Sequence, residues 1–397
     1  MDEVRAGVWQ AENIAFFSQA PTSATSYRLS LARKEAGNHR VMEQELPNLW
    51  EVARQAYEQG SWELVASFRD ALQPFLDLRG YWAQSLTLNG WACEAAQALR
   101  DAANLARWTH DRADILHQRG EYVEAARLYL VSEEKYRALG EGEMALRSRH
   151  MRSLVLRARG RLAEARHLCE STITEAQRLG LERWLAHPLY VRGLLARDRG
   201  DFQKARQWVE ESLSLLRDTG ELAMMAQCQH FLGELALLQG NLLEARSKLE
   251  SSLRLSQQVG ILRRVAATQR LLGDVARIEG HYDEAGQILR QALEIATRLG
   301  DRPQLARLLL SQAQLVLRQG QTQEAIDLLR GAMSTYQEIG DARGVAGASV
   351  LLARLYLGQG RWRQALRMVM TALKTAWSAD LLRPRILFGL LRRGGRW

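Results

Sequence analysis

Cysteine, proline and lysine are all scarce in this chain of 397 residues, and each shortage removes a class of protein. The three cysteines, Cys93, Cys169 and Cys228, stand far apart with no CxxC pair, which suggests neither a disulfide framework nor a zinc site and fits a reducing compartment. Six prolines, 7% aromatic residues and the lack of any Pro-rich or Gly/Ser-rich tract leave no linker to mark a domain boundary. No uninterrupted apolar run nears the roughly 18 residues of a membrane span, and the start, MDEVRAGVWQAENIAFF, lacks a basic stretch followed by an apolar core. A cytoplasmic protein is expected. No phosphate-cradling GxxxxGKS/T loop, serine elbow or HExxH occurs, so no ATP site, cofactor or enzymatic activity is expected. Lysine supplies only five of the 54 basic residues; the rest are guanidinium groups, suited to bidentate contact with carboxylate or phosphate, although a codon bias toward arginine leaves the same imbalance.

Against these absences stand a 47% apolar content, ordinary for a packed core, and a formal charge of +9. The charge is concentrated at the end of the chain, where residues 380–397 carry five arginines against Asp380. Glycine is placed with more regularity than anything else. From Gly120 to Gly360 one falls on every twentieth position, and the apolar residues between follow helical spacing, as in Leu213 and Leu216 or Leu249 and Leu253. Each interval predicts a helix of roughly 17 residues, about 26 Å long. Each glycine supplies the left-handed conformation that ends it.

The true period is forty. Five residues after Gly120, Gly160, Gly200, Gly240, Gly280, Gly320 and Gly360 stand Ala125, Ala165, Ala205, Ala245, Ala285, Ala325 and Ala365. Seven before the same glycines stand Ala113, Ser153, Gly193, Gly233, Gly273, Ala313 and Ala353, and twelve after them Ser132, Thr172, Ser212, Ser252, Ala292, Ala332 and Ala372. Small residues at three fixed places let one helix lie close against an antiparallel second, with leucines filling the space around the crossing. Each unit therefore reads as a helical hairpin.

This pattern resembles the tetratricopeptide repeat: a small residue in the first helix, a turn carrying an aromatic such as Tyr122, Phe202, Tyr282 or Trp362, then the alanine of the second helix. The resemblance covers roughly residues 100–377, with a forty-residue period in place of the family's 34, and the aromatic is missing at Leu162, Leu242 and Thr322. It implies an all-α fold, a right-handed superhelical solenoid of antiparallel helical hairpins. Long repeats of this kind resemble the sensor arms of bacterial NB-ARC or STAND-type signalling ATPases, and the Trp-rich stretch around Trp50, Trp62, Trp82 and Trp91 is similar to the helical junction preceding such an arm. There the small-residue rule fails, with Gln73 and Ser85 about Gly80. The expected organisation is a partly ordered segment at 1–41, a degenerate helical cap at 42–100, seven repeats at 101–377, and a capping helix with a basic tail at 378–397.

In tetratricopeptide arrays the first helices line a concave groove. Counting back from each turn glycine, that face selects Arg107, His110, Asp114, His117, Arg147, His150, Arg157, Tyr190, Arg197, His230, Glu234, Arg270, Asp274, Arg277, Arg307, Gln314, Arg318 and Arg354, with Asp198 among the acidic positions. Nine arginines against four carboxylates suit an acidic peptide, a terminal carboxylate or a phosphate backbone. The histidines are not matched by a closed set of ligands, so no metal is expected. The Glu and Asp residues alternate with Arg as on solvated helix faces. The expected function is non-catalytic: a scaffold or sensor that holds a partner protein segment in this groove, as part of a larger assembly. A nucleic-acid-binding or phosphate-binding regulatory module using the same arginines and the basic C-terminus is the alternative, and Tyr190 alone supplies no stacking platform for it.

Overall fold

The structure is a computed structural model that describes residues 26–35, 39–217 and 219–378; the expected capping helix and basic tail lie outside the described residues apart from residue 378, as does most of the expected N-terminal segment 1–41. The described part is all α-helical apart from short turns, an all-α solenoid of antiparallel hairpins. It divides into two compact units, one up to Trp108 and one from Thr109.

The first unit holds α1 (26–34), α2 (His39–Glu58), α3 (Trp62–Arg79), α4 (Trp82–Ala98) and the start of α5 (Ala102–Arg119). Its core gathers Met42, Leu49, Phe68, Leu72, Phe75 and Leu88. The tryptophans form a stack beside it: Tyr57 lies 5.0 Å from Trp91 with the rings nearly parallel, and Trp50 5.2 Å from the same ring. Where the small-residue rule fails, a buried polar network takes over. Gln73 donates to Ser85 Oγ at 2.6 Å, Asn89 donates to Gln73 Oε1 at 2.6 Å, and Arg69 Nε donates to Asn89 Oδ1 at 3.1 Å. Residue 100, the one twenty-residue step between Gly60 and Gly360 without glycine, is an arginine held at φ 56° in the same left-handed turn. The geometry of the turn persists because the next amide, that of Asp101, still bonds back to the Ala96 carbonyl.

The second unit continues with α6 (Tyr122–Ala138), α7 (Gly142–Ala158), α8 (Leu162–Arg178), α9 (Ala186–Asp198), α10 (Phe202–Leu216), α11 (Leu222–Gln239), α12 (Leu242–Val259), α13 (Leu262–Glu279), α14 (Tyr282–Arg298), α15 (Arg302–Arg318), α16 (Thr322–Glu338), α17 (Ala342–Gly358) and α18 (Trp362–Ser378). One interval departs from the expected single helix: residues Glu182–Leu185 form a 3-10 turn, and α9 has only 13 residues. Pro188, in the first turn of α9, has no amide to give to a preceding carbonyl and disfavours helical geometry at the residue before it.

The three small positions do what their spacing requires. All seven alanines five residues past the turn are buried to 1% exposure or less. At Gly193, Gly233 and Gly273 an added Cβ would lie 2.4, 2.6 and 2.8 Å from Val209, Leu249 and Leu289 of the following helix. Two of the hydroxyls twelve past the turn bond to the first helix of their hairpin, Ser212 Oγ to the Ala186 carbonyl at 2.6 Å and Ser252 Oγ to the Ala226 carbonyl at 2.8 Å. Curvature follows from which helices meet beyond the hairpin. Besides their neighbours in sequence, α7 packs on α9, α9 on α11, α11 on α13 and α13 on α15. The odd-numbered helices are thus crowded together and form the inner wall of the second unit.

Candidate functional site

The inner wall carries a cavity of about 600 Å³ toward the end of the second unit. It lies among α11, α13, α15 and α17, with Leu329 contributed by α16. Leu237, Leu271, Leu310, Val350 and Leu351 make an apolar floor, and seven of the polar residues selected from sequence stand around it: Glu234, Arg270, Asp274, Arg277, Gln314, Arg318 and Arg354. Four arginines face two carboxylates. The carboxylates are already engaged, because Asp274 accepts from Arg270 Nη1 at 3.2 Å and from Ser311 Oγ at 3.1 Å, and Glu234 pairs with Arg197. Arg277, buried, donates to Gln314 Oε1 at 3.0 Å. Arg318 and Arg354 remain exposed to solvent at the rim. The resulting surface offers apolar contact below and excess positive charge at the edge.

The other selected residues take different places. Arg107 belongs to the first unit, where it pairs with Asp70 and its guanidinium lies 5.7 Å from the Trp108 ring. His110 and His230 are buried between repeats, with Nδ1 bonded to Ser148 Oγ at 2.9 Å and to Thr268 Oγ1 at 3.0 Å. His150 is buried against His187 and Trp184, and Tyr190 packs edge-on against Phe231. Asp114 accepts from the Tyr129 hydroxyl, and His117 lies against Tyr122. Arg147 and Arg307 are exposed. Arg157 and Arg197 belong to a cluster about Asp198, whose carboxylate receives Arg157 Nη1 at 2.9 Å, Arg343 Nη1 at 2.8 Å and Arg197 Nη2 at 3.3 Å. Burial would raise the Asp198 pKa, but these three guanidinium groups outweigh it and hold the carboxyl below its ordinary value. Burial likewise holds the two buried thiols protonated, Cys169 pushed up to about 12 and Cys228 to about 11. Among the described residues no three His, Cys, Asp or Glu gather as a metal site, and no helix is long and apolar enough to cross a membrane.

A family profile, the MalT-like TPR region, matches residues 112–383, well over half of the sequence. The chain belongs to the MalT-like TPR region family. Among curated proteins this MalT-like TPR chain has no significant match. Among solved structures, a Rap protein complexed with competence and sporulation factor aligns over 91% of this chain and 99% of its own, at 12% identity and a TM-score of 0.63. The Rap conjugation gene regulator of the plasmid pLS20, in complex with the Phr* peptide, aligns over 84% and 96%, at 15% identity and a TM-score of 0.61. At these identities the likeness is one of fold. A signal-transduction ATPase with a tetratricopeptide repeat sensor from Pyrococcus horikoshii aligns over 89% of this chain and 54% of its own, at 13% identity and a TM-score of 0.45.

Two features of the MalT-like TPR wall escaped the polar selection. Ten residues before the turn glycine, the register that gives His110, His150, Tyr190, His230 and Arg270 continues as Leu310 and Val350, which form part of the cavity floor. Reading that register without regard to polarity would have found them. Arg343 lies outside the register altogether, at the start of α17, and only the curvature of the unit brings it to Asp198.

Proposed function

We propose that the second unit captures a segment of a partner protein in its concave cavity, and that the chain is a non-catalytic sensor or scaffold acting within a larger assembly. The observation that carries this reading is the pairing of an apolar floor with four arginines against two engaged carboxylates, two of the arginines, Arg318 and Arg354, standing exposed at the rim. An extended or helical segment with an apolar anchor and flanking Asp or Glu side chains fits both at once. The two Rap proteins of similar fold hold a competence and sporulation factor in one case and a Phr* peptide in the other, which supports a peptide segment as the occupant. Burying the anchor supplies most of the affinity, and charge-assisted contacts to arginine set orientation.

The test is selection from a random peptide library, followed by titration of the selected peptides against the parent and Arg318→Glu/Arg354→Glu. Both side chains are exposed at the rim, so the variant should melt with the parent. Each reversed contact is worth about 1 kcal/mol or more, so affinity should fall at least about ten-fold. Equal affinity of the two proteins would remove the cavity as the binding site. A ligand whose affinity falls with salt at a slope of about 0.7 per phosphate would identify a single-stranded nucleic acid instead.

A further inference from the structure

Arg343 opens α17 in the seventh hairpin of the repeat array, and Asp198 closes α9 in the third. Their contact, at 2.8 Å, crosses the concave side of the second unit instead of running along it. A second contact accompanies it: a Cβ at Gly120, in the first turn of the unit, would fall 2.8 Å from Ile339 Cβ and 3.5 Å from Pro303 Cγ. Two parts of the wall separated by several repeats therefore touch at two places. The ion pair is incomplete on the arginine side. Arg343 gives Nη1 to Asp198, while its Nε and Nη2 are buried without a hydrogen-bond partner among the described residues. That same Nε/Nη2 edge is the one with which Arg54, Arg127 and Arg178 grip a carboxylate side-on elsewhere in the chain. Arg157 also keeps an unpartnered buried Nε beside Asp198. Donors buried without a partner cost free energy, which lowers the barrier to an arrangement in which they meet one.

We propose that Arg343 is a two-state hook: closed, it holds the wall shut through Asp198; open, it offers its Nε/Nη2 edge to a carboxylate of the incoming partner segment. Opening would separate α17, which also carries Val350, Leu351 and Arg354 of the cavity wall, from the third hairpin. The role of opening in partner capture rests on the reading given under the proposed function, whereas opening itself is measured with no partner present.

Amide hydrogen exchange on the whole chain tests both halves. Arg157→Gln removes one guanidinium from Asp198 between neighbouring hairpins, and Arg343→Gln removes the one that crosses the wall. Arg343→Gln should speed exchange roughly ten-fold in both 117–122 and 338–345, segments that touch only in the closed arrangement, while Arg157→Gln leaves them near the parent. Arg343→Lys, which keeps the charge, should stay closer to the parent than Arg343→Gln. Unchanged exchange in Arg343→Gln, or equal effects of Arg343→Gln and Arg157→Gln, overturns the hook. A deca-glutamate peptide added to the parent should speed the same two segments and have little effect on Arg343→Lys, which lacks the fork. If the peptide moves neither protein while Arg343→Gln opens the wall, the carboxylate half of the proposal is overturned, independently of whether the rim variant binds selected peptides.

Discussion

A Cβ placed on Gly233 would lie 2.6 Å from Leu249 Cγ, closer than packed atoms tolerate, and 3.2 Å from the Ala245 carbonyl oxygen, tighter than most packed contacts. Glycine in a helix interior ordinarily costs about 1 kcal/mol relative to alanine, so propensity alone favours replacing it. Packing decides the other way. Leu249 is fully buried, so its side chain has little room to turn aside, and the tight contact with the Ala245 backbone has to give by a few tenths of an ångström as well. Gly233→Ala should therefore destabilise the protein by about 1–3 kcal/mol, read as a lower urea midpoint with an unchanged slope. A rise in stability would show that propensity outweighs the crossing.

At the scale of the element, the hairpin depends on its small residues more than on the aromatic at the turn. Helices α8, α12 and α16 begin at Leu162, Leu242 and Thr322, where that aromatic is missing, and Trp362 is 69% exposed where it is present. Ala245, by contrast, is fully buried at the crossing of α11 and α12. Ala245→Leu should cost about 1–3 kcal/mol, because the added side chain forces the pair apart. Glu250→Leu on the exposed side of the same helix should be nearly silent. Equal melting temperatures of the two variants would place the crossing elsewhere.

For the molecule as a whole, stability should depend on acid through histidines enclosed in the second unit. Burial holds His110, His150 and His230 below the ordinary imidazole range, and it pushes His117 down to about 4 against the partial opposition of Asp114. Their unfolded pKa lies near 6.5, so between pH 6.5 and about 4 the unfolded chain binds more protons than the folded one. The stabilisation is fully present above pH 6.5 and is lost as the pH falls. For the buried His150 and His230, whose pKa values burial holds well below that of the unfolded chain, stability should be lower at pH 5 than at pH 7. Urea unfolding at those two pH values checks it, and His230→Gln should flatten the dependence. A pH-independent midpoint in the parent would mean that the imidazoles are not enclosed as described.

The repeat was legible in the chain itself because a turn glycine and a small residue at a crossing are local requirements that recur at fixed spacing. The glycines at left-handed φ and the buried alanines occupy the positions that the forty-residue ruler assigns. The cavity was half legible. Its polar rim could be counted back from the glycines, but a filter for polarity discarded Leu310 and Val350 from the same face. The burial of His110, His150, Tyr190 and His230 was not legible, because it depends on how far one repeat rotates against the next. The meeting of Arg343 with Asp198 lay further out of reach. Spacing along a chain fixes which side chains share a helix face; small rotations accumulated over several hairpins decide which faces meet across the wall.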